Sequence, residues 1–254
     1  MIDIHTHILW GADDGAKTQR DSLAMAKQAV NQGIRTIVAT PHHMNGTYLN
    51  VRSDIKSKVS ELNNLLEMQQ IPLEVLPGQE IRIYSDLLAD YKRGQIIAVN
   101  DTTNFLLIEL PTTHIPAFLE KMMFEIQLQG LIPVIVHPER NHVFLENPKK
   151  LYELVKQGIL TQVTAASLTG DFGRKIKKFS FDIIKANLAH FIASDAHNVS
   201  SRCFKMFEAY RLVEDKVGMD YEEFFLQNAE RLVQNKSISQ DTPYMLQKRG
   251  FHFF

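Results

Sequence analysis

The chain has 254 residues, 44% of them hydrophobic, and a formal net charge of −1. That is enough apolar material for one large core, so a single domain over residues 1–254 is expected. The near-neutral balance gives no general attraction for nucleic acid or an anionic membrane surface, so an anionic substrate would have to be drawn in locally.

The first apolar run starts at Met1 and leads at once into a histidine pair, which leaves no room for a cleavable signal peptide. No apolar run approaches membrane-spanning length, and a cytoplasmic protein is expected. Cys203 is the sole cysteine, which excludes an intrachain disulfide and suits a reducing compartment; a small residue on a helix face is its expected role.

In chain order, apolar runs suited to buried parallel strands fall at 2–4, 36–39, 73–76, 105–109, 132–136, 160–163 and 191–193. Helices are expected at 18–32, 52–70, 85–92, 115–129, 148–157, 174–187, 200–216 and 221–234. In the second of these, Ile55, Val59, Leu62, Leu65 and Leu66 recur at helical spacing. Gly33, Gly130 and Gly158 each follow a helix and precede a strand, as left-handed C-caps do. Such strand–helix alternation gives either an open doubly wound sheet or a closed β/α barrel. The barrel is favoured because it gathers all strand C-termini on one face.

Those strand exits carry the chemistry. His5 and His7, two apart, point to the same side of a strand and can grip one ion. In the following GADDGA loop one of Asp13 and Asp14 can bend back to a metal, although the loop equally suits a plain turn. Pro41 should stop the second strand and push His42 and His43 into the loop above it. Glu80 and Glu109 lie beside apolar segments, where an unpaired charge is costly, so each needs a partner, whether an ion or a basic side chain. His137 follows the fifth run, and Asp195 with His197 repeats the two-residue spacing after the last. Oxygen and imidazole donors without thiolate suit Mn²⁺, Fe or Zn²⁺ rather than a structural zinc knot. Two or three such ions could share a hydroxide ionised near neutral pH and clamp a phosphoryl group.

Together HTH, DDGA, TPHH, GQE, HPER and SDAH resemble the motifs of the PHP (polymerase and histidinol phosphatase) superfamily, over residues 1 to about 235. More narrowly, the chain resembles the bacterial manganese-dependent protein-tyrosine phosphatases of the CpsB/YwqE type, found with capsule and exopolysaccharide synthesis. The resemblance implies an α/β fold, a distorted (β/α)7 barrel with the metal site at the C-terminal ends of its strands. It implies that His5, His7, Glu80 and Asp195 hold one ion, that Glu80 bridges to a second completed by Glu109 and His137, and that Asp14, His42 and His197 hold a third. Many superfamily members have histidine where Asp14 and Glu109 stand. Arg140 and Arg202 match arginines that contact phosphate in this branch, His43 is a candidate proton donor, and the 44–50 loop with Tyr48 could wall an aryl ring. The implied substrate is a phosphotyrosine protein, a bacterial tyrosine autokinase or its targets.

The cysteine-based mechanism is excluded, because the position that would need arginine after Cys203 is Ala209. A small-molecule phosphoesterase such as histidinol phosphatase would use the same ions in a narrower pocket. An exonuclease would want a basic stripe, and an amidohydrolase a bridging lysine where this chain has Glu109. A non-catalytic metal-binding adaptor would keep the ligands without turnover. The aromatic tail Gly250–Phe254 says nothing of activity; it is expected to pack on the barrel or cover an oligomer contact rather than anchor in a membrane.

Overall fold

The computed structural model describes residues 1–246; the Gly250–Phe254 tail lies outside the described residues. Nine parallel strands occur among them: β1 (Ile2–Thr6), β2 (Thr36–Ala39), β3 (His42–His43), β4 (Glu74–Pro77), β5 (Glu80–Arg82), β6 (Phe105–Glu109), β7 (Ile132–Val136), β8 (Leu160–Thr164) and β9 (Phe191–Ala193). They sort into a three-stranded sheet, β1-β2-β4, and a six-stranded sheet, β3-β5-β6-β7-β8-β9. Backbone hydrogen bonds join the two. Asp195 N donates to His5 O at 2.9 Å and His7 N to Ala196 O at 2.9 Å.

Between the strands run α1 (Gln19–Asn31), α2 (Arg52–Met68), α3 (Leu87–Lys92), α4 (Leu119–Leu128), α5 (His142–Glu146), α6 (Pro148–Lys156), α7 (Ala165–Thr169), α8 (Arg174–Lys185), α9 (Met206–Lys216) and α10 (Met219–Val233). Alternate strand residues feed two apolar clusters. Ile37, Leu106, Ile108, Ile135, Val163 and Ile192 face the helices, whereas Ile4, Val38, Leu107, Val134, Val136 and Phe191 form a second cluster on the other face. Burial on both faces explains why these strands read as unbroken apolar runs. Ala229 and Leu232 of α10 close the second cluster. No helix is long and apolar enough to cross a membrane among the described residues.

Several expectations need correction. Pro41 does not send His42 and His43 into a loop. Its carbonyl accepts from Glu80 N at 3.2 Å, and the two histidines pair with Glu80 and Ile81 as a short second stretch of the same strand line. Gly78 and Gln79 break the next line in the same way, so seven expected strands become nine. The helix expected from residue 200 starts at Met206, because Asn198 Oδ1 accepts from Ser200 N and Arg202 N and folds the intervening residues into a turn. Cys203 therefore precedes the helix, half-buried. The short helices α5 and α7 have no counterpart among the expected helices. The three C-cap glycines do take positive φ, 82° at Gly33, 75° at Gly130 and 87° at Gly158.

His190, just before β9, has its Nδ1 accepting from Thr161 N at 3.1 Å, and burial pushes its pKa down to about 4. A folded pKa below the unfolded value of 6.5 means the unfolded chain binds more protons between them, so this stability is present above pH 6.5 and is lost as pH falls towards 4. Urea unfolding is expected to show that lowering the pH from 7.5 to 5 costs the wild type ~2 kcal/mol more than His190→Gln. Equal losses in the two proteins would contradict the assignment.

Candidate metal centre at the strand ends

The C-terminal ends of the strands bring together all nine residues expected as ligands. Glu80, wholly buried on β5, is the hub. Its Oε1 lies 2.7 Å from His137 Nε2, and its Oε2 lies 2.7 Å from His42 Nδ1, 3.3 Å from His7 Nε2 and 3.4 Å from His5 Nε2. Asp195 Oδ1 is 3.3 Å from His7 Nε2 and 3.6 Å from His5 Nε2. Asp14 Oδ1 stands 3.4 Å from both His42 Nε2 and His197 Nε2. Glu109 Oε2 is 3.7 Å from His42 Nδ1.

Three overlapping groups of donor atoms result: His7, Asp14, His42 and His197; His5, His7 and Glu80; and His42, Glu80 and Glu109. In each, the atoms lie within 4.8 Å of one another. Side-chain hydrogen bonding does not account for this convergence. Glu80 Oε2 and His42 Nδ1 approach closely without hydrogen-bond geometry, and Glu109 Oε2 and His197 Nε2 are likewise buried without a partner. Orphaned buried donors and acceptors are costly, and cations placed among these groups would satisfy them. The donor set therefore fits a cluster of divalent ions.

Backbone conformation aims several of these groups. His137 and Asp195 both take left-handed φ values, 38° and 53°, a strained choice for non-glycine residues that recurs at functional sites. His42 and His43 are adjacent on β3 and so face opposite sides. His42 enters the cluster. His43 turns away, wholly buried, with Nδ1 donating to Asn50 O at 2.8 Å, and burial lowers its pKa. It does not line the central cavity, so its expected part as proton donor is withdrawn. Tyr48 does reach the site, its ring nearly parallel to that of His42 with centroids 6.2 Å apart.

The electrostatics are those of crowded charge. Burial opposes ionisation of Glu80, yet the imidazoles of His5 and His42 hold its carboxyl well below the usual range. Burial would depress His42, but Glu80 and Asp14 outweigh it and lift its pKa to about 10. Burial, reinforced by repulsion from Glu80, pushes Glu109 up to about 7. Burial and then Arg140 drop His137 to about 3, while burial and then His7 drop His197 to about 4. A solvent-open cavity adjoins the cluster, lined by His42, Glu80, Glu109, His137 and Asp195 together with Arg140 and Arg202. Arg140 Nη2 sits 2.8 Å and Arg202 Nη2 3.2 Å from Asp195 Oδ2, so both guanidiniums reach the cavity anchored on a candidate ligand.

Some participants were not read from the sequence. Asp13 appeared there only as an alternative to Asp14. In the structure its Oδ2 accepts from His7 Nδ1 at 2.6 Å and from His42 N at 3.0 Å, fixing two candidate ligands at once. Gln162 Oε1 does the same for His5 Nδ1 at 2.9 Å; a glutamine inside the apolar run of β8 was the available signal. Arg82 pairs with Glu109 at 2.9 Å. Gly15 passes so close to His7 that any Cβ would lie 2.1 Å from the His7 carbonyl, which explains the glycine after the aspartate pair.

A family model described as "Capsular polysaccharide synthesis, CpsB/CapC" matches residues 1–234. The chain belongs to the CpsB/CapC family. Among CpsB/CapC relatives, the tyrosine-protein phosphatase YwqE of Bacillus subtilis is 47% identical, with 100% of each chain covered. The putative tyrosine-protein phosphatase CapC of Staphylococcus aureus is 40% identical over 96% of this chain and 95% of its own. The tyrosine-protein phosphatase CpsB of Streptococcus pneumoniae is 31% identical over 94% and 100%. A solved structure from work on YwqE and CpsB, described as metal-dependent tyrosine phosphatases, superposes with a TM-score of 0.95 at 47% identity, covering 98% of this chain and 100% of that one. A β-aspartyl dipeptidase of Fervidobacterium islandicum, 15% identical with a TM-score of 0.56 over 96% of this chain and 77% of its own, shares the fold alone.

Removing a carboxylate that orients a metal-binding imidazole typically weakens metal affinity by about 10–100-fold. Asp13→Ala is expected to show a loss of that size for Mn²⁺, measured by competition with a chromophoric chelator. Wild-type affinity in a folded Asp13→Ala protein would show that Asp13 does not position His7.

Proposed function

We propose that this protein is a metal-dependent protein-tyrosine phosphatase, acting in the cytoplasm on a bacterial tyrosine autokinase or that kinase's substrates in capsule or exopolysaccharide synthesis. The observation that carries the reading is the opening of two guanidiniums, Arg140 and Arg202, into a cavity lined by five members of a nine-residue cluster of ligand type, in a chain 47% identical along its length to a tyrosine-protein phosphatase. The described residues are read as one domain, a distorted (β/α)7 barrel in which β2–β3 and β4–β5 each count as one broken strand. The hydrogen bonds between β1 and the residues after β9 support closure of that ring.

In this reading His5, His7, Glu80 and Asp195 would hold one ion, Glu80 with Glu109 and His137 a second, and Asp14, His42 and His197 a third. Mn²⁺ is the ion proposed, with Fe or Zn²⁺ as chemically suited alternatives. Bound ions supply Lewis acidity and a nucleophile at neutral pH. The chain's own contribution is to bind and orient the phosphate. Arg140 and Arg202 each present a planar fork of donors that can take two phosphoryl oxygens, and Asp195 fixes both forks at the cavity wall. Charge building on those oxygens during transfer meets donors already in place, so no reorganisation is needed. A phenolate leaving group, with a pKa of about 10, departs without strong acid help, which agrees with the withdrawal of His43 from the site. Tyr48, stacked on His42, offers an apolar edge to the aryl ring.

Metal stripping followed by Mn²⁺ add-back should abolish and then restore hydrolysis of a phosphotyrosine peptide, with histidinol phosphate turned over far more slowly. Preference for histidinol phosphate would overturn the tyrosine-phosphatase reading in favour of the small-molecule alternative. Arg140→Lys keeps the charge but loses the fork, and kcat/KM on the peptide is expected to fall about 100-fold. Undiminished kcat/KM would remove Arg140 from the phosphate site.

A further inference from the structure

The segment Arg174-Lys175-Ile176-Lys177-Lys178 puts four cations into five positions of a chain whose net charge is −1. They form the first turn and a half of α8, with no acidic residue in that first turn and no side-chain cap on Gly173. Cations there oppose the helix dipole, so helix stability does not explain them. Two are occupied within the fold: Lys177 Nζ donates to Thr169 O at 3.0 Å, and Lys178 pairs with Asp182. Arg174 and Lys175 are exposed and have no ion-pair partner among the described residues.

Their place in the fold links them to the proposed phosphate site. Helix α8 packs against the Pro138–Arg140 turn. Phe172, at the surface just before the helix, lies with its ring centroid 5.3 Å from the guanidinium carbon of Arg140, which lines the central cavity. Arg174 follows Phe172 by two residues, a chain span of roughly 7 Å. An extended peptide leaving the cavity over Phe172 would meet Arg174 and Lys175 within a few residues of its phosphotyrosine.

We propose that Phe172, Arg174 and Lys175 form a substrate-selecting lip that favours phosphotyrosines flanked by acidic residues. The inference rests on the phosphatase reading above and adds the class of phosphoprotein segment the enzyme selects. Charge complementarity identifies the occupant: two unpaired surface cations beside an anion-binding cavity attract a second, neighbouring negative charge. Such rim charges act on encounter and KM more than on the chemical step, and salt screens them.

The test uses the Mn²⁺-loaded full chain and three phosphotyrosine peptides, identical except for glutamates, serines or lysines beside the phosphotyrosine. At low salt the glutamate peptide is expected to be favoured about fivefold over the serine peptide in kcat/KM, through KM, and more over the lysine peptide. The gap should close at high salt. In Arg174→Glu/Lys175→Glu the order should invert, while p-nitrophenyl phosphate turnover stays at the wild-type value and so reports an intact site. Equal rates on all three peptides, or the same order in the double variant, would overturn the lip. So would binding to phosphatidylglycerol vesicles that needs Arg174 and Lys175 without any peptide preference. Failure to hydrolyse even the serine peptide would instead strike the phosphatase reading itself.

Discussion

A buried carboxylate ringed by imidazoles is the constraint on which the rest of the structure depends. Glu80 is wholly buried, and nitrogens of His5, His7, His42 and His137 all lie within 3.4 Å of its oxygens. Burying a charge in this way is strongly unfavourable unless opposite charge and directed contacts compensate it. Protons alone satisfy the cluster poorly, since His42 is driven to hold a proton while His137 and His197 are driven to lose theirs. Divalent cations at the same points would satisfy every lone pair together, which is why the geometry reads as a metal centre.

That constraint reaches back into the fold. The candidate ligands come from the ends of different strands, so the strands must be parallel and end on one side, and helices must return the chain each time. Strained backbone at His137 and Asp195, and the approach of Gly15 to His7, are local costs offset by a large two-sided core. Asp13 and Gln162 then lock the far nitrogens of His7 and His5, leaving Nε2 of each ring turned inward. Rigidity of this kind lets donors act on a transferring phosphoryl group without first rearranging.

Much of this was legible in the sequence because it is written in local patterns. Two-residue spacing in HTH and DAH, apolar runs broken by glycine, and motifs in a fixed order located the strands and drew attention to all nine clustered residues. What escaped depends on contacts distant in the chain. The pairing of His42–His43 with β5 across Pro41 needs a strand 38 residues away, and it alone decides that His42 enters the cluster while His43 leaves it. The start of α9 is not legible in the sequence because a single Asn198 side chain holds the preceding turn, a bond that periodicity does not reveal. Arg82 on Glu109 and Phe172 over Arg140 belong to the same class, each a contact between elements rather than within one.

The two arginines join the metal centre to its proposed substrate. Both rest on Asp195, itself a proposed ligand, so phosphate binding and ion binding share one carboxylate. Anomalous diffraction from Mn²⁺-soaked crystals tests the central claim most directly. The account predicts two or three anomalous peaks beside Glu80, at coordinating distance from the imidazoles that surround it. A map with no peak at Glu80, and with manganese bound only elsewhere on the surface, would contradict it.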